Sequence, residues 1–263
     1  MKKLFIMMAL PLALVVSCKS VEEKSEAFNK QIEDITSKYL GESTEAERNG
    51  APESTLDSMY NAAWDKVLTL SKSTIRKNRN NSVAVEALKQ IYMEFTPEEL
   101  EEVIGKLGKE NQEDKFIVAM KTMVAAKKAT AEGQPFTDFQ VDGVKFSDFI
   151  GKGKYMLVDF WASWCGPCKA ELPNIASVYE KYAGEDFDVL SVAVWDKPED
   201  SVAAAEELGI VWNQIINGQE IPTDAYGIEG IPQIILFGPD GTILKRDLRG
   251  ENIEAAVKEA LGR

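Results

Sequence analysis

Two of the three cysteines in this chain, Cys165 and Cys168, are separated only by Gly166 and Pro167. The pair directly follows a predicted buried strand and opens a predicted helix, a position from which both sulfur atoms lie on one helix face within disulfide reach. Unpaired amide N–H groups and the helix dipole at that end favour a thiolate on the leading cysteine. The spacing therefore predicts dithiol–disulfide redox chemistry, with Cys165 as the nucleophile nearer solvent and Cys168 as the resolving thiol one turn inward.

Other roles for this pair fit the sequence less well. A structural disulfide seldom joins cysteines so close together, and a zinc ion needs two further ligands. The chain has no histidine and only one other cysteine. The lack of histidine also excludes Ser-His-Asp and Cys-His catalysis. We therefore expect no metal and no cofactor other than the dithiol itself.

An acidic residue and a proline stand at positions that can serve this chemistry. Asp159 interrupts the apolar strand predicted at 155–161, where burial raises a carboxyl pKa and makes the group a candidate proton acceptor. A solvated aspartate at a strand end is the alternative. The segment 230–233, which contains Pro232, comes immediately before the apolar run 234–237, so Pro232 occupies a strand-start position that proline tolerates.

Length, composition and charge restrict the classes of protein. The chain has 263 residues, and at about 150 residues per domain this predicts two domains. Hydrophobic residues make up 44% and charged residues 28%, as in a soluble globular protein. Thirty basic against 43 acidic residues give a net charge of −13. This charge opposes binding to nucleic acid phosphates, so nucleic acid is not an expected partner.

The N-terminus has the pattern of a targeting segment. Lys2 and Lys3 precede an apolar run over 4–16 that is too short to span a membrane as a helix. The sequence 15–18 resembles the lipobox of bacterial lipoproteins, which implies that residues 1–17 are removed and that Cys18 carries a lipid. We expect an anchored protein that faces the periplasm, and Lys19 favours the outer over the inner membrane. A plain secretory signal with an incidental cysteine is the alternative.

The elements that must position the cysteine pair fall into two regions. From residue 18 to 131, apolar residues recur at steps of three and four, which predicts an all-α domain of unknown role. Breaks are expected at 41–52 and 77–82. A new helix is expected after Thr96, where an N-cap, a first-turn proline and a capping-box glutamate, Glu99, coincide.

Residues 132–263 alternate short β-rich runs with helices, which predicts parallel βαβ units in a second domain. The turn Asp142-Gly143 predicts a hairpin over 136–146. Further strands are expected at 155–161, 187–194, 211–216, 233–237 and 242–248, and helices at 168–182, 198–208 and 251–261. The second domain is therefore expected to be α/β.

The segment Val158–Lys169 resembles the active site of thioredoxin-fold proteins, and the Glu171-Leu172-Pro173 that follows resembles the TlpA/ResA-like thiol-disulfide oxidoreductases. The resemblance covers residues 134–263. It implies a thioredoxin-like α/β domain, with a central mixed sheet flanked by helices and an N-terminal hairpin extension, preceded by the all-α domain. It also implies that Cys165 attacks a substrate disulfide and that Cys168 releases the product.

The same resemblance implies roles for further residues. Asp159 would deprotonate the resolving thiol Cys168. Glu171 would lie near the active site, although an ordinary exposed helix glutamate fits the sequence almost as well. Pro232 would follow a cis peptide bond that faces the dithiol, so that the Ile231 backbone could pair with an extended substrate segment.

The residues around the cysteines bear on the direction of electron flow. Gly166 and Pro167 place no positive charge beside the thiolate, which favours a reductant. With Trp164, they form the expected substrate-binding surface. We expect a reductase of disulfides in envelope proteins that takes electrons from an unidentified membrane donor.

Three alternatives stay open. A disulfide oxidase or isomerase belongs to the same class of chemistry. A thiol peroxidase is disfavoured by Ala162, which stands where peroxidases of the related fold carry threonine. The non-enzyme alternative is a partner-binding lipoprotein in which the thioredoxin domain is a scaffold.

Overall fold

The computed structural model describes residues 19–263. The predicted signal peptide at 1–17 and Cys18 lie outside the described residues. Within the described range, none of the helices has the length and apolar character needed to cross a membrane. The chain divides into two compact units, each made of two segments. The first comprises the described residues up to Glu94 together with Lys106–Asp114. The second comprises Phe95–Gly105 and Lys115–Arg263.

The first unit is entirely helical in its described part. Its helices are α1 (Val21–Arg48), α2 (Glu53–Lys77), α3 (Val83–Ile91) and the short α5 (Lys109–Gln112). Helix α3 forms the centre of this unit, because six of its nine residues are buried. A capping box between Ser20 and Glu23 starts α1.

The break expected over 41–52 begins later than predicted. Helix α1 continues through Gly41 to Arg48, and the chain leaves helical geometry only at 49–52. A glycine inside a helix costs only about 1 kcal/mol, and the packing of α1 against α2 and α3 offsets that cost.

The second unit begins with two helices and a small hairpin. Helix α4 (Pro97–Gly105) starts at the predicted capping box, in which Thr96 and Glu99 exchange backbone-to-side-chain hydrogen bonds. Helix α6 (Lys115–Ala129) follows. The predicted hairpin consists of β1 (Gln140–Val141) and β2 (Val144–Lys145).

The main sheet of the second unit is mixed, as the resemblance implied. Its strands are β3 (Tyr155–Trp161), β4 (Phe187–Ala193), β5 (Asn213–Ile215), β6 (Gln233–Phe237) and β7 (Ile243–Lys245), in the order β5-β4-β3-β6-β7. Strands β3, β4 and β5 are parallel, whereas β6 is antiparallel to both β3 and β7. Helix α7 (Gly166–Tyr182) connects β3 to β4, α8 (Pro198–Glu207) connects β4 to β5, and α9 (Ile221–Tyr226) connects β5 to β6. Helix α10 (Glu251–Leu261) follows β7.

Alternation along β3 divides the apolar core into two layers. Leu157 and Trp161 pack with buried residues of α7 and α10. Val158 and Phe160 point to the opposite face and pack with the hairpin and α9. Because successive side chains of a strand point to opposite faces, Asp159 lies on the face that α7 and α10 cover.

Helix α6 packs against α9 and the segments around the main sheet of the same unit. A Cβ on Gly227, which has a φ of +61°, would lie 2.7 Å from the carbonyl oxygen of Met123. Arg246, just after β7, donates through Nη1 to the carbonyl oxygen of Thr130 at 2.6 Å. These contacts associate α6 with the main sheet. The domain boundary predicted between residues 131 and 132 stays a prediction.

Candidate active site

Cys165 and Cys168 form a disulfide at the start of α7, with their Cα atoms 5.3 Å apart. Cys165 is the residue that caps the helix, and its Sγ accepts a hydrogen bond from the backbone N–H of Cys168 at 3.1 Å. This N–H is one of the groups at a helix start that have no partner within the helix. The helix therefore provides the anion-stabilising donor that the sequence predicted for Cys165.

The expected difference in exposure between the two cysteines is almost absent. Cys165 is 3% exposed and Cys168 is 1% exposed. The carbonyl oxygen of Ile231 lies 3.7 Å from the Cys165 Sγ, so the chain before β6 contributes to this burial. The prediction that Cys165 is the nucleophile therefore rests on its position at the helix end and not on its exposure.

The Ile231–Pro232 peptide is cis, as expected. Strand β6 begins at the next residue, Gln233. The predicted substrate-binding residues Ile231 and Pro232 are thus brought to the sulfur atoms, more than 60 residues away in sequence.

The other predicted substrate-binding residues line the start of α7. Gly166 opens the helix, and a Cβ there would meet no atom within 4 Å. Pro167 occupies the first turn, which needs no proline N–H. Trp164 is 60% exposed and donates through Nε1 to the carbonyl oxygen of Trp195 at 2.9 Å.

Asp159 is 1% exposed, which excludes the solvated strand-end alternative. Its neighbours across the sheet are Ser191 on β4 and Ile234 on β6. Neither carboxylate oxygen has a hydrogen-bond partner among the described residues. Burial raises the pKa of Asp159 to about 7, with the charge of Arg249 acting to lower it and that of Glu171 to raise it.

The charge of Glu171 acts to raise the pKa of Asp159. The role that the resemblance implied for Glu171 stays a prediction. The Glu171 Oε2 accepts hydrogen bonds from the backbone N–H of Gly250 and from the Asn174 side chain, both at 2.9 Å. Glu171 therefore ties α7 to the start of α10, and it acts on the site through its charge.

Sequence reasoning missed Arg249. Its guanidinium donates through Nη1 to the carbonyl oxygen of Leu248 at 2.7 Å and through Nη2 to the carbonyl oxygen of Pro232. No local pattern indicated this role, because a single arginine before a helix is a common surface feature.

Sequence reasoning also missed Asp196, which supports the loop before the cysteines. Its carboxylate accepts hydrogen bonds from the backbone N–H and the hydroxyl of Ser163 at 2.6 and 3.1 Å, and from the Ser201 hydroxyl at 2.8 Å. Partial burial acts to raise the pKa of Asp196, but hydrogen bonds from Ser163, Ser201 and Lys197 hold it below its usual value. Only the pairing of β3 with β4 brings Asp196 to Ser163.

The described residues offer no cluster of three or more histidine, cysteine or acidic side chains arranged to hold a metal ion. The start of α7 carries a dithiol pair and an exposed tryptophan, and a buried carboxyl group of raised pKa lies on the sheet face that α7 covers. This arrangement can carry out thiol–disulfide exchange with a local proton acceptor.

Comparison with known proteins agrees with this chemistry. The AhpC/TSA family model matches residues 125–246. ResA, a thiol-disulfide oxidoreductase of Geobacillus thermodenitrificans, is 27% identical over 140 residues, which cover 51% of this chain and 79% of that protein. HelX, a thiol:disulfide interchange protein of Rhodobacter capsulatus, is 29% identical over 49% of this chain and 70% of its own length.

A solved thioredoxin domain of a Bacteroides vulgatus thiol-disulfide oxidoreductase is 31% identical, covering 49% of this chain and 96% of that one, with a TM-score of 0.44. The family match and the curated relatives, and not this solved structure, indicate the kinship of the chain. Together with the cysteine pair at the start of α7, these place the chain among the thioredoxin-fold thiol-disulfide oxidoreductases.

Proposed function

We propose that this protein is an envelope-anchored reductase of protein disulfides. The observation that carries the proposal is the Cys165–Cys168 pair at the start of α7, with Asp159 buried on the sheet face that this helix covers. The reduced form of the pair would supply the electrons, and the disulfide in the structure would be the product state.

In the first step, the Cys165 thiolate attacks one sulfur of a substrate disulfide. A bond forms between Cys165 and that sulfur, and the other substrate sulfur leaves as a thiolate that takes a proton from solvent. The N–H of Cys168, which donates to the Cys165 Sγ, stabilises the attacking charge.

In the second step, Asp159 accepts the proton of the Cys168 thiol, and the resulting thiolate attacks the Cys165 sulfur. The intramolecular disulfide forms, and the second substrate sulfur leaves as a thiolate. Two electrons have then passed from the protein dithiol to the substrate. An external dithiol donor must reduce the pair again.

Substrate binding is assigned to the chain on both sides of the cysteines. An extended substrate segment would pair with the Ile231 backbone beside Pro232, in the manner of an added strand. Trp164 would supply an exposed apolar surface next to Cys165, with Gly166 leaving room for close approach.

The location and the partners belong to the same proposal. A lipid on Cys18 would anchor the protein to a bacterial envelope membrane, with the outer membrane favoured by Lys19 and the catalytic unit facing the periplasm. The substrates would be disulfide-containing envelope proteins. The donor would be a membrane protein that carries a dithiol.

Insulin reduction by the dithiothreitol-reduced full chain tests the activity, and equilibration with glutathione measures the reduction potential. A potential near that of thioredoxin, about −270 mV, supports a reductase, whereas about −120 mV would indicate an oxidase. The Gly166-Pro167 spacer favours the first result. Failure to reduce any protein disulfide would favour the scaffold alternative.

A further inference from the structure

We propose that Arg249 is a positioning residue that holds the Ile231–Pro232 segment beside the cysteines and places a positive charge near the buried carboxyl group of Asp159. This inference rests on the proposed function, because it concerns the proton acceptor of the second step. Arg249 would thus have a steric task, which is to hold the proline segment in place, and an electrostatic task, which is to act on Asp159 through its charge. Separate experiments can distinguish the two tasks.

The steric task follows from the two hydrogen bonds of the guanidinium. One nitrogen donates to the carbonyl oxygen of Pro232 and the other to that of Leu248. The carbonyl oxygen of Ile231, the residue before Pro232, lies 3.7 Å from the Cys165 Sγ. Arg249 therefore joins the segment after β7 to the segment that covers the nucleophile.

The geometry of the guanidinium matters for this task. Its donors form a rigid fork that reaches two acceptors at once, whereas an ammonium group is a compact charge on a flexible stem. A lysine at position 249 would thus keep the charge but lose the two-point attachment to Pro232 and Leu248.

The electrostatic task follows from the groups that face Asp159. Leu248, directly before Arg249, donates its backbone N–H to the carbonyl oxygen of Ile234 at 3.1 Å, and Ile234 is the cross-strand neighbour of Asp159. Helix α7 contributes the charge of Glu171, the segment before α10 contributes that of Arg249, and the neighbour of Asp159 on β4 is the neutral Ser191. Of the charged groups in the described part of the chain that act on Asp159, Arg249 is the cationic one. Its charge favours the carboxylate, against burial and Glu171.

The two tasks are linked through the backbone. Gly250, directly after Arg249, donates its N–H to Glu171 at 2.9 Å. A single dipeptide therefore holds the anion and supplies the cation that act on Asp159 in opposite directions. The protonation of Asp159 depends on how this dipeptide is placed.

The test uses the reduced full chain and an aromatic disulfide that releases a coloured thiolate at each step, so that attack and resolution appear as separate phases. The pH midpoint of the resolution phase is measured in the wild type and in Arg249→Met, Arg249→Lys, Asp159→Asn and the Asp159→Asn/Arg249→Met double variant. Arg263→Met is the control, because it removes one positive charge from a residue whose side chain is 56% exposed.

Loss of the positive charge destabilises the carboxylate, so Arg249→Met should move the resolution midpoint to higher pH by about one unit. Arg249→Lys should keep the wild-type midpoint but raise the KM for a peptide disulfide, because the Pro232 carbonyl loses its anchor. In the Asp159→Asn background, Arg249→Met should produce no shift.

An unchanged midpoint in Arg249→Met would overturn the proposal, as would a shift that persists in the Asp159→Asn background or an equal shift in Arg263→Met. Simple damage to packing would slow both phases at every pH without moving the midpoint, and this result would also overturn it. The small disulfide reports on Arg249 even if the wild type fails to reduce insulin, so failure of the proposed function is a separate outcome.

Discussion

Asp159 on β3 faces Ile234 on β6 across the antiparallel pairing of the two strands. This register places Asp159 opposite the residue that follows Pro232 by two positions, and Asp159 lies on the face of the sheet that α7 covers. Strand pairing therefore holds Asp159 near the end of the sheet at which the proline segment and the cysteine pair lie.

The cysteine variants separate nucleophile from resolving thiol. We expect Cys165→Ala to reduce insulin no faster than the uncatalysed reaction, because the attacking sulfur is missing. Cys168→Ala should attack but accumulate as a mixed disulfide, since no second thiol releases the product. Mass spectrometry of trapped envelope proteins under non-reducing conditions measures this. Equal trapping by both variants would contradict the assignment of Cys165.

Asp159→Asn should slow the resolution step by about 100-fold near pH 7 to 8, because the amide cannot accept the Cys168 proton. In the wild type the rate should rise as pH passes the Asp159 pKa of about 7. The difference between the two proteins should shrink at higher pH, where the thiol ionises by itself. Stopped-flow measurement across pH provides the test. A uniform loss at all pH values would instead indicate disturbed packing.

The same substitution should stabilise the oxidised protein at alkaline pH. The folded pKa of Asp159, about 7, lies above its ordinary value of 3.8, so ionisation costs the folded state free energy. At about 1.4 kcal/mol per pKa unit, this cost is on the order of 4 kcal/mol. The advantage of Asp159→Asn should be absent below pH 4, grow between pH 4 and 7, and be complete above pH 7.

Urea unfolding of the oxidised wild type and Asp159→Asn at pH 4, 6 and 8 measures this dependence. Glu254→Gln is a suitable control, because hydrogen bonds from Lys181, Lys258 and Tyr182 lower its pKa to about 2, and the effect of a lowered pKa on stability has the opposite sign. An Asp159→Asn stability difference that does not vary with pH would contradict the burial argument.

Removal of the predicted lipid site should change the location of the protein. Cys18→Ala should release the protein into the soluble envelope fraction or leave the signal peptide uncleaved, because the lipidated residue is missing. Membrane fractionation and the mass of the N-terminal peptide measure both outcomes. Unchanged processing and membrane association would contradict the lipoprotein prediction.

The contacts of α6 predict the residue at which a stable fragment of the catalytic unit must begin. A fragment of residues 132–263 leaves the Arg246 guanidinium without its Thr130 partners and removes the Lys127–Glu229 ion pair. We expect it to be less stable than a fragment of residues 95–263 by about 2 to 4 kcal/mol. Urea unfolding followed by tryptophan fluorescence compares the two. Equal stability would favour a boundary at 131–132.

Strong local signals in the sequence agree with the structure. The bounds predicted for β3, β6 and α10 match those observed. The two strands were predicted from short apolar runs, and the helix was predicted from a periodic apolar pattern. Both kinds of pattern involve only residues that are close together in the sequence. The start of α4 at Thr96 and the turn at Asp142-Gly143 were predictable for the same reason.

Helix α9 was missed because six residues are too few for a periodic pattern. The continuation of α1 beyond Gly41 was missed because the packing of α1 against other helices offsets the free-energy cost of a glycine inside the helix.

The sequence by itself determined the chemistry, because a dithiol at a helix start needs only four adjacent residues and the strand before them. The functional roles of Cys165, Cys168 and Asp159 stay predictions that the variants above test. The tertiary structure alone decided the environment of these groups. The burial of Cys165, the support of Ser163 by Asp196 and the approach of Arg249 to Pro232 all join residues far apart in the chain. Such contacts depend on strand register and on the course of the segments after β4 and β7, which no local pattern of residues encodes.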